Sequence, residues 1–125
     1  MKGLTNSQMK FPMTCRIYSG ETFIGTAQLK SPETEKAVAA GAFEPAAGYA
    51  QVRPVFQLFA QSLDPNADPA VQMAKLAHYY RRRDGLPLRL QTMAGQPVAI
   101  EWIHILDSED DPAHCRIEVR LKPAR

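Results

Sequence analysis

Cysteine is scarce in this chain and tryptophan scarcer, with two cysteines and a single tryptophan, Trp102, in 125 residues. Two thiols, Cys15 and Cys115, cannot build the disulfide framework that holds small secreted domains together; they read as small, reduced, buried residues. Long apolar runs are missing too. Residues 98–106 are the most apolar stretch, yet Glu101 and His104 interrupt it, and it falls far short of the ~20 residues of a bilayer-spanning helix. The opening MKGLTNSQMKFP contains no apolar h-region of a secretory signal. A cytoplasmic protein with no membrane partner is therefore expected.

An excess of one charge is also absent. The chain carries 15 Lys and Arg against 13 Asp and Glu, and Lys2 and Lys10 lie in a first dozen residues without acids. Residues 13–125 thus hold equal numbers of bases and acids, so the overall balance gives no support to a nucleic-acid partner. The signature motifs of chemistry are missing as well. There is no CxxC, HxH or HExxH for zinc, no GxSxG for a serine nucleophile, and no GxGxxG or Walker loop for phosphates. The acidic run at 107–111, DSEDD, lacks the DxDxDG spacing of a calcium loop. His104, Asp111, His114 and Cys115 could meet across that run. However, neighbouring strand residues point to opposite faces, so His114 and Cys115 cannot both ligate without a bulge. No catalytic residue, metal or cofactor is expected.

What is present is the patterning of one domain with a hydrophobic core. Apolar residues make up 45% and charged residues 22%, both ordinary for a globular chain. Residues 1–12, without periodicity, read as a flexible arm, and 13–125 as a single α+β domain. Residues 13–29 read as a hairpin turning at Gly20-Glu21, with Ile17 opposite Ile24 and Tyr18 opposite Phe23. Ser31, Pro32 and the glutamates after them predict a short helix over 32–40, followed by a loop through AFEPAAGY. Tyr49, Val52, Phe56, Phe59 and Leu63 recur at helical spacing, and Pro54 is tolerated if the helix begins near Val52. Asp68 and Pro69 open a second helix, which Gly85 stops. Its inward face reads as Ala70, Met73, Leu76, Ala77 and Tyr80, with Gln72, Lys75, Tyr79 and Arg82 outward. Three strands follow, LPLRLQT, PVAIEWIHIL and CRIEVRLK. The expected architecture is an antiparallel sheet of about five strands, a hairpin and a three-stranded meander, with two main helices packed on one face.

Within that meander, a three-residue loop that sets Leu88 opposite Trp102 and Arg89 opposite Glu101 keeps one face apolar. Leu88, Ile100, Trp102, Ile117 and Val119 would then face the helices. Arg89, Glu101, Ile103, Ile105, Arg116, Glu118 and Arg120 would lie outside. Isoleucines on a charged face are either covered by a loop, the N-terminal arm or the first hairpin, the favoured reading, or mark an association surface, for which Arg89, Glu101, Ile103, Ile105, Arg116 and Arg120 are the expected contacts with a protein partner or a second copy. The basic corner of Lys75, Tyr79, Arg81, Arg82 and Arg83 offers a nucleic-acid-binding alternative, less favoured because those arginines also complement the helix dipole. A third reading is a small-ligand or enzyme domain with a pocket between helices and sheet, using His104 or His78. Its mark would be a pocket lined by Tyr, Trp and His with a perturbed pKa.

Overall fold

The computed structural model describes residues 10–31, 38–62, 65–107 and 115–122. The proposed arm at 1–12 and the helix start at 32–37 lie largely or wholly outside them, as do Leu63, Asp111 and His114.

The fold is α+β, with two α-helices and one antiparallel sheet of seven strands among the described residues. Strands β1 (Met13–Ser19) and β2 (Thr22–Lys30) form the expected hairpin. Gly20, at the first central position of its turn, adopts φ +62°, which a side chain would resist. Tyr18 pairs with Phe23 as expected, but a slip in the pairing sets Ile17 opposite Gly25 rather than Ile24. Strand β3 (Val38–Pro45) occupies the residues read as the end of a helix and a loop. Its inward positions are Ala39, Gly41 and Phe43, residues too small or too few to advertise a strand. A 3₁₀ turn (Ala47–Gln51) leads into α1 (Arg53–Ser62), where Pro54 sits harmlessly in the first turn. Helix α2 (Pro69–Asp84) starts as predicted, the Asp68 carboxylate accepting from Ala70 N at 3.0 Å, and Gly85 caps its end.

The last third of the chain departs most from expectation. Strand β4 (Leu88–Thr92) turns through Met93, Ala94 and Gly95, and Thr92 N donates to Gln96 O. Gly95 holds φ +88° at the third loop position, where a three-residue hairpin loop needs a left-handed residue. That turn sets Leu90 opposite Val98, two residues away from the register that face patterning predicts. The next strand then breaks at Ala99. Strand β5 (Pro97–Val98) stays on β4, while β6 (Ile100–Leu106) leaves to pair with β7 (Arg116–Leu121). The two unexpected strands are thus β3 and the extra piece created at Ala99.

The resulting order is β5-β4-β1-β2-β3-β7-β6. The two outermost strands are consecutive in the chain and separated by one residue, so the sheet curls until its edges nearly meet. Curling buries the apolar face within the sheet, without a helical layer, and removes most exposed edge. Ile17, Leu29, Leu90, Ile103, Ile105, Ile117 and Val119 fill this interior, each at most 1% exposed. Tyr49, Val52, Val55 and Phe56 extend the core, with the Tyr49 ring 5.2 Å from Phe43 and 6.2 Å from Phe56. The expectation that the helices cover the sheet's apolar face is therefore corrected: the barrel interior takes that face.

One residue decides which side chains of β6 face inward. Ile100 pairs with Leu121 and Trp102 with Arg120, leaving Glu101 as a bulge. A bulge shifts the alternation by one, so every residue beyond it changes face. Ile103 and Ile105 turn inward beside Val119 and Ile117, while Trp102 and His104 turn outward beside Arg120 and Glu118.

Candidate functional site

The face that β6 turns outward is where the two helices lie. From α1, the Phe59 ring meets His104 edge-on at 4.2 Å. From α2, Gln72, Leu76, Tyr79 and Arg83 face the body of the protein. This corrects the predicted stripe, because Tyr79 is fully buried while Met73 is 72% exposed. Apolar residues surround α2 on more than one side, so periodicity alone offers two stripes. The tertiary partners choose the one whose polar atoms find bonds.

Two of those polar groups bond each other. The Tyr79 hydroxyl and His104 Nδ1 share a hydrogen bond of 2.5 Å. Burial, followed by the charge of Arg83, pushes the His104 pKa down to about 4. Burial also raises Tyr79, against the opposing pull of Arg83. At neutral pH both groups are uncharged. His104 is therefore a hydrogen-bonding residue here, too weak a base to carry protons at pH 7.

Arg83 itself is held by rings. Its guanidinium carbon lies 4.9 Å from the Tyr80 centroid, 5.4 Å from Trp102 and 5.6 Å from Tyr79. Such stacking favours a cation most when water is excluded, and the Arg83 side chain is only 10% exposed. Its Nε and Nη2 both donate to one oxygen of Asp84, at 3.1 and 3.0 Å. The Asp84 side chain is 62% exposed. Phe59, Tyr80, Arg83, Asp84, Trp102, His104 and Glu118 converge on one cleft of about 620 Å³ between the helices and the β6–β7 surface. A smaller recess of about 320 Å³ continues past Arg83 and Trp102 toward Leu88 and Glu101. A larger groove, about 890 Å³, crosses the outside of β2, β3 and β7, but its margins at Ser31, Val38 and Cys115 border undescribed residues and it has no comparable convergence of rings and buried charge.

A second polar cluster sits where β6 ends. The Asp107 side chain is wholly buried and accepts from Tyr49 Oη at 3.0 Å and from Arg53 Nε at 2.9 Å. Cys115 Sγ lies 4.0 Å from its other oxygen. These bonds tie the 3₁₀ turn and the start of α1 to the ends of β6 and β7. Burial and the adjacent Asp107 charge raise the Tyr49 pKa, keeping its hydroxyl a donor. Cys15 lies in the barrel interior, its thiol pushed up to about 11 by burial, and no disulfide joins it to Cys115. Neither thiol has the accessible, electropositive setting of a nucleophile.

The residues predicted as sites are distributed differently from expectation. Ile103 and Ile105 are 1% and 0% exposed and leave the outer face altogether. Glu101 pairs with Arg120 at 2.9 Å instead of with Arg89. Arg89 lies on β4, bonding Gly20 O at 2.8 Å and stacking on Tyr18, and Arg116 stands exposed on β7. The six residues do not assemble into one apolar-centred surface, because the Glu101 bulge removed its two isoleucines. The basic corner is also divided: Lys75, Arg81 and Arg82 are exposed, while Tyr79 and Arg83 face inward. His78 is exposed and apart from the cleft. Among the described residues, no three His, Cys, Asp or Glu side chains converge as metal ligands, and no helix is long and apolar enough to cross a membrane.

Sequence reasoning singled out His104 and Arg83 but missed the roles of Phe59, Trp102, Asp84 and Glu118. The available signal was the alternation of Trp102 with His104 and of Glu118 with Arg120, legible as a shared face only once the bulge is known. Compared with protein-family models, with curated proteins and with solved structures, the chain matches none of them.

Proposed function

We propose that this protein is a small-molecule-binding domain whose site is the cleft between α1, α2 and the outward face of β6 and β7. The observation that carries this reading is the convergence of Tyr80, Trp102, Phe59 and His104 around a buried arginine. Ligand sites combine apolar and aromatic walls with a few fixed polar groups, and a residue whose pKa is displaced by burial marks such places. Here the walls are ring faces. The polar groups are the Arg83 guanidinium, oriented by three rings, and the His104 imidazole, oriented by Tyr79. Among the described lining residues there is no Ser, Cys or Lys nucleophile, and His104 is a weak base. Binding, rather than turnover, is the role these groups support.

Trp102 is the only tryptophan and lines both the cleft and the larger groove, so intrinsic fluorescence reads ligand binding beside it and the Arg83 variant assigns that binding to the cleft. Titration with a library of ring-bearing small molecules is expected to yield compounds that change Trp102 emission and raise Tm, and Arg83→Gln is expected to abolish both effects. A library that leaves Trp102 silent throughout would remove the reading.

A second reading is association through the outward face of α2. The exposure of Val71 (45%) and Met73 (72%) favours it over the sheet face.

A further inference from the structure

We infer that the cleft takes a flat ring bearing a carboxylate, whose anionic group replaces Asp84 on Arg83 while its ring lies against Trp102. This rests on the cleft being the binding site and adds the chemical class of its ligand.

The aromatic faces could equally suit a cation, and the described lining of the cleft holds two acids, Asp84 and Glu118, against one base, Arg83. Burial decides between the classes. The Arg83 side chain is 10% exposed and Asp84 62%, so water screens the acid far more than the base. Glu118 is half-buried, and Arg116 and Arg120 share its strand face on either side. The faces of Tyr79, Tyr80 and Trp102 that meet Arg83 already hold an internal cation. An incoming ammonium would have to displace a tethered guanidinium.

An incoming carboxylate has only to displace Asp84. Two donors of Arg83, Nε and Nη2, converge on a single Asp84 oxygen, so the fork is used on one acceptor atom by its own sequence neighbour. A free carboxylate can accept the same two donors on two oxygens, the stronger fork-to-fork arrangement. Asp84 can swing into water because most of its side chain is already there. His104 adds a polar ring to the same lining. Phe59 and Trp102 supply the walls against which a ring fits.

The test uses the full chain, labelled with ¹⁵N, and the single indole N–H resonance of Trp102. Benzoate, its neutral isostere benzamide and the cation benzylamine are the probes. Benzoate is expected to shift the Trp102 resonance, with benzamide at least tenfold weaker and benzylamine silent. Asp84→Ala is expected to tighten benzoate several-fold by removing the competing carboxylate, and Arg83→Gln to weaken it at least tenfold. Arg83→Lys, which keeps the charge and loses the fork, covers the case in which Arg83→Gln does not fold, and is expected to weaken benzoate as well. A response to benzylamine or to benzamide equal to that for benzoate, or weaker benzoate binding in Asp84→Ala, would overturn the anionic class and leave the cleft standing. Silence toward benzoate in a protein whose Trp102 responds to other library compounds would do the same. Silence toward every compound would overturn the cleft itself.

Discussion

His104 shows what burial does to a single side chain. The residue is 7% exposed, its ring packed edge-on against Phe59 and bonded to Tyr79. The native state holds the imidazole neutral down to a pKa of about 4, whereas an unfolded chain takes up the proton near 6.5. Between those values the unfolded state binds more protons, so stability rises with pH across the window. The contribution is complete above pH 6.5 and is lost as pH falls toward 4. That contribution is on the order of 3 kcal/mol. Denaturant unfolding of the wild type and of His104→Asn is expected to show the wild type losing about that much more than the variant between pH 7 and pH 4. Parallel pH profiles for the two proteins would contradict the buried, neutral state. Sequence could name His104 as a candidate, since histidines are few, but could not supply its partners: Tyr79 is 25 residues away and Phe59 comes from a different helix.

At the scale of elements, helix ends and turns were more legible than faces. Asp68, Pro69 and Gly85 bound α2 through bonds made within a few residues, so local chemistry is enough to find them. The inward face of α2 depends on which of two stripes meets a partner, and those partners, Phe59, Trp102 and His104, are distant along the chain. The observed orientation has a consequence that the predicted one would reverse. Met73→Ala is expected to change stability by no more than about 0.5 kcal/mol, as an exposed position should. Leu76→Ala, half-buried against the core, is expected to cost about 2 kcal/mol. Chemical denaturation of the two variants checks this, and a larger loss for Met73→Ala would restore the other face. The β4–β5 turn teaches the converse. Gly95 sits where a left-handed residue is required, so turn chemistry, not face patterning, held the correct register.

The whole molecule is organised by closure. Strand β1 lies between β2 and β4, and β7 between β3 and β6, so segments from both halves of the chain share one sheet. With the sheet's apolar face turned inward, α2 is left to cover only part of the outside, and its own outer side remains open at Val71 and Met73. Association through that side would double the 13.9 kDa mass of one chain. On the second reading, sedimentation velocity is expected to find this dimer and Met73→Lys to return it to a single chain. A wild-type monomer at every concentration would exclude α2 as a self-association surface.

By itself, the sequence determined the α+β class, the first hairpin and its turn, the start of α1, and both ends of α2. Each follows from backbone preferences and bonds between near neighbours, which any short segment expresses wherever it sits. Only tertiary structure decided that β3 is a strand, that the chain divides at Ala99, and that Glu101 bulges so that Trp102 and His104 face the helices. Alanine and glycine carry little pattern of their own, and a bulge is invisible in the alternation it interrupts. The cleft inherits that second dependence, since a one-residue slip in pairing places Trp102 and His104 beside Arg83 and sends Ile103 and Ile105 into the core.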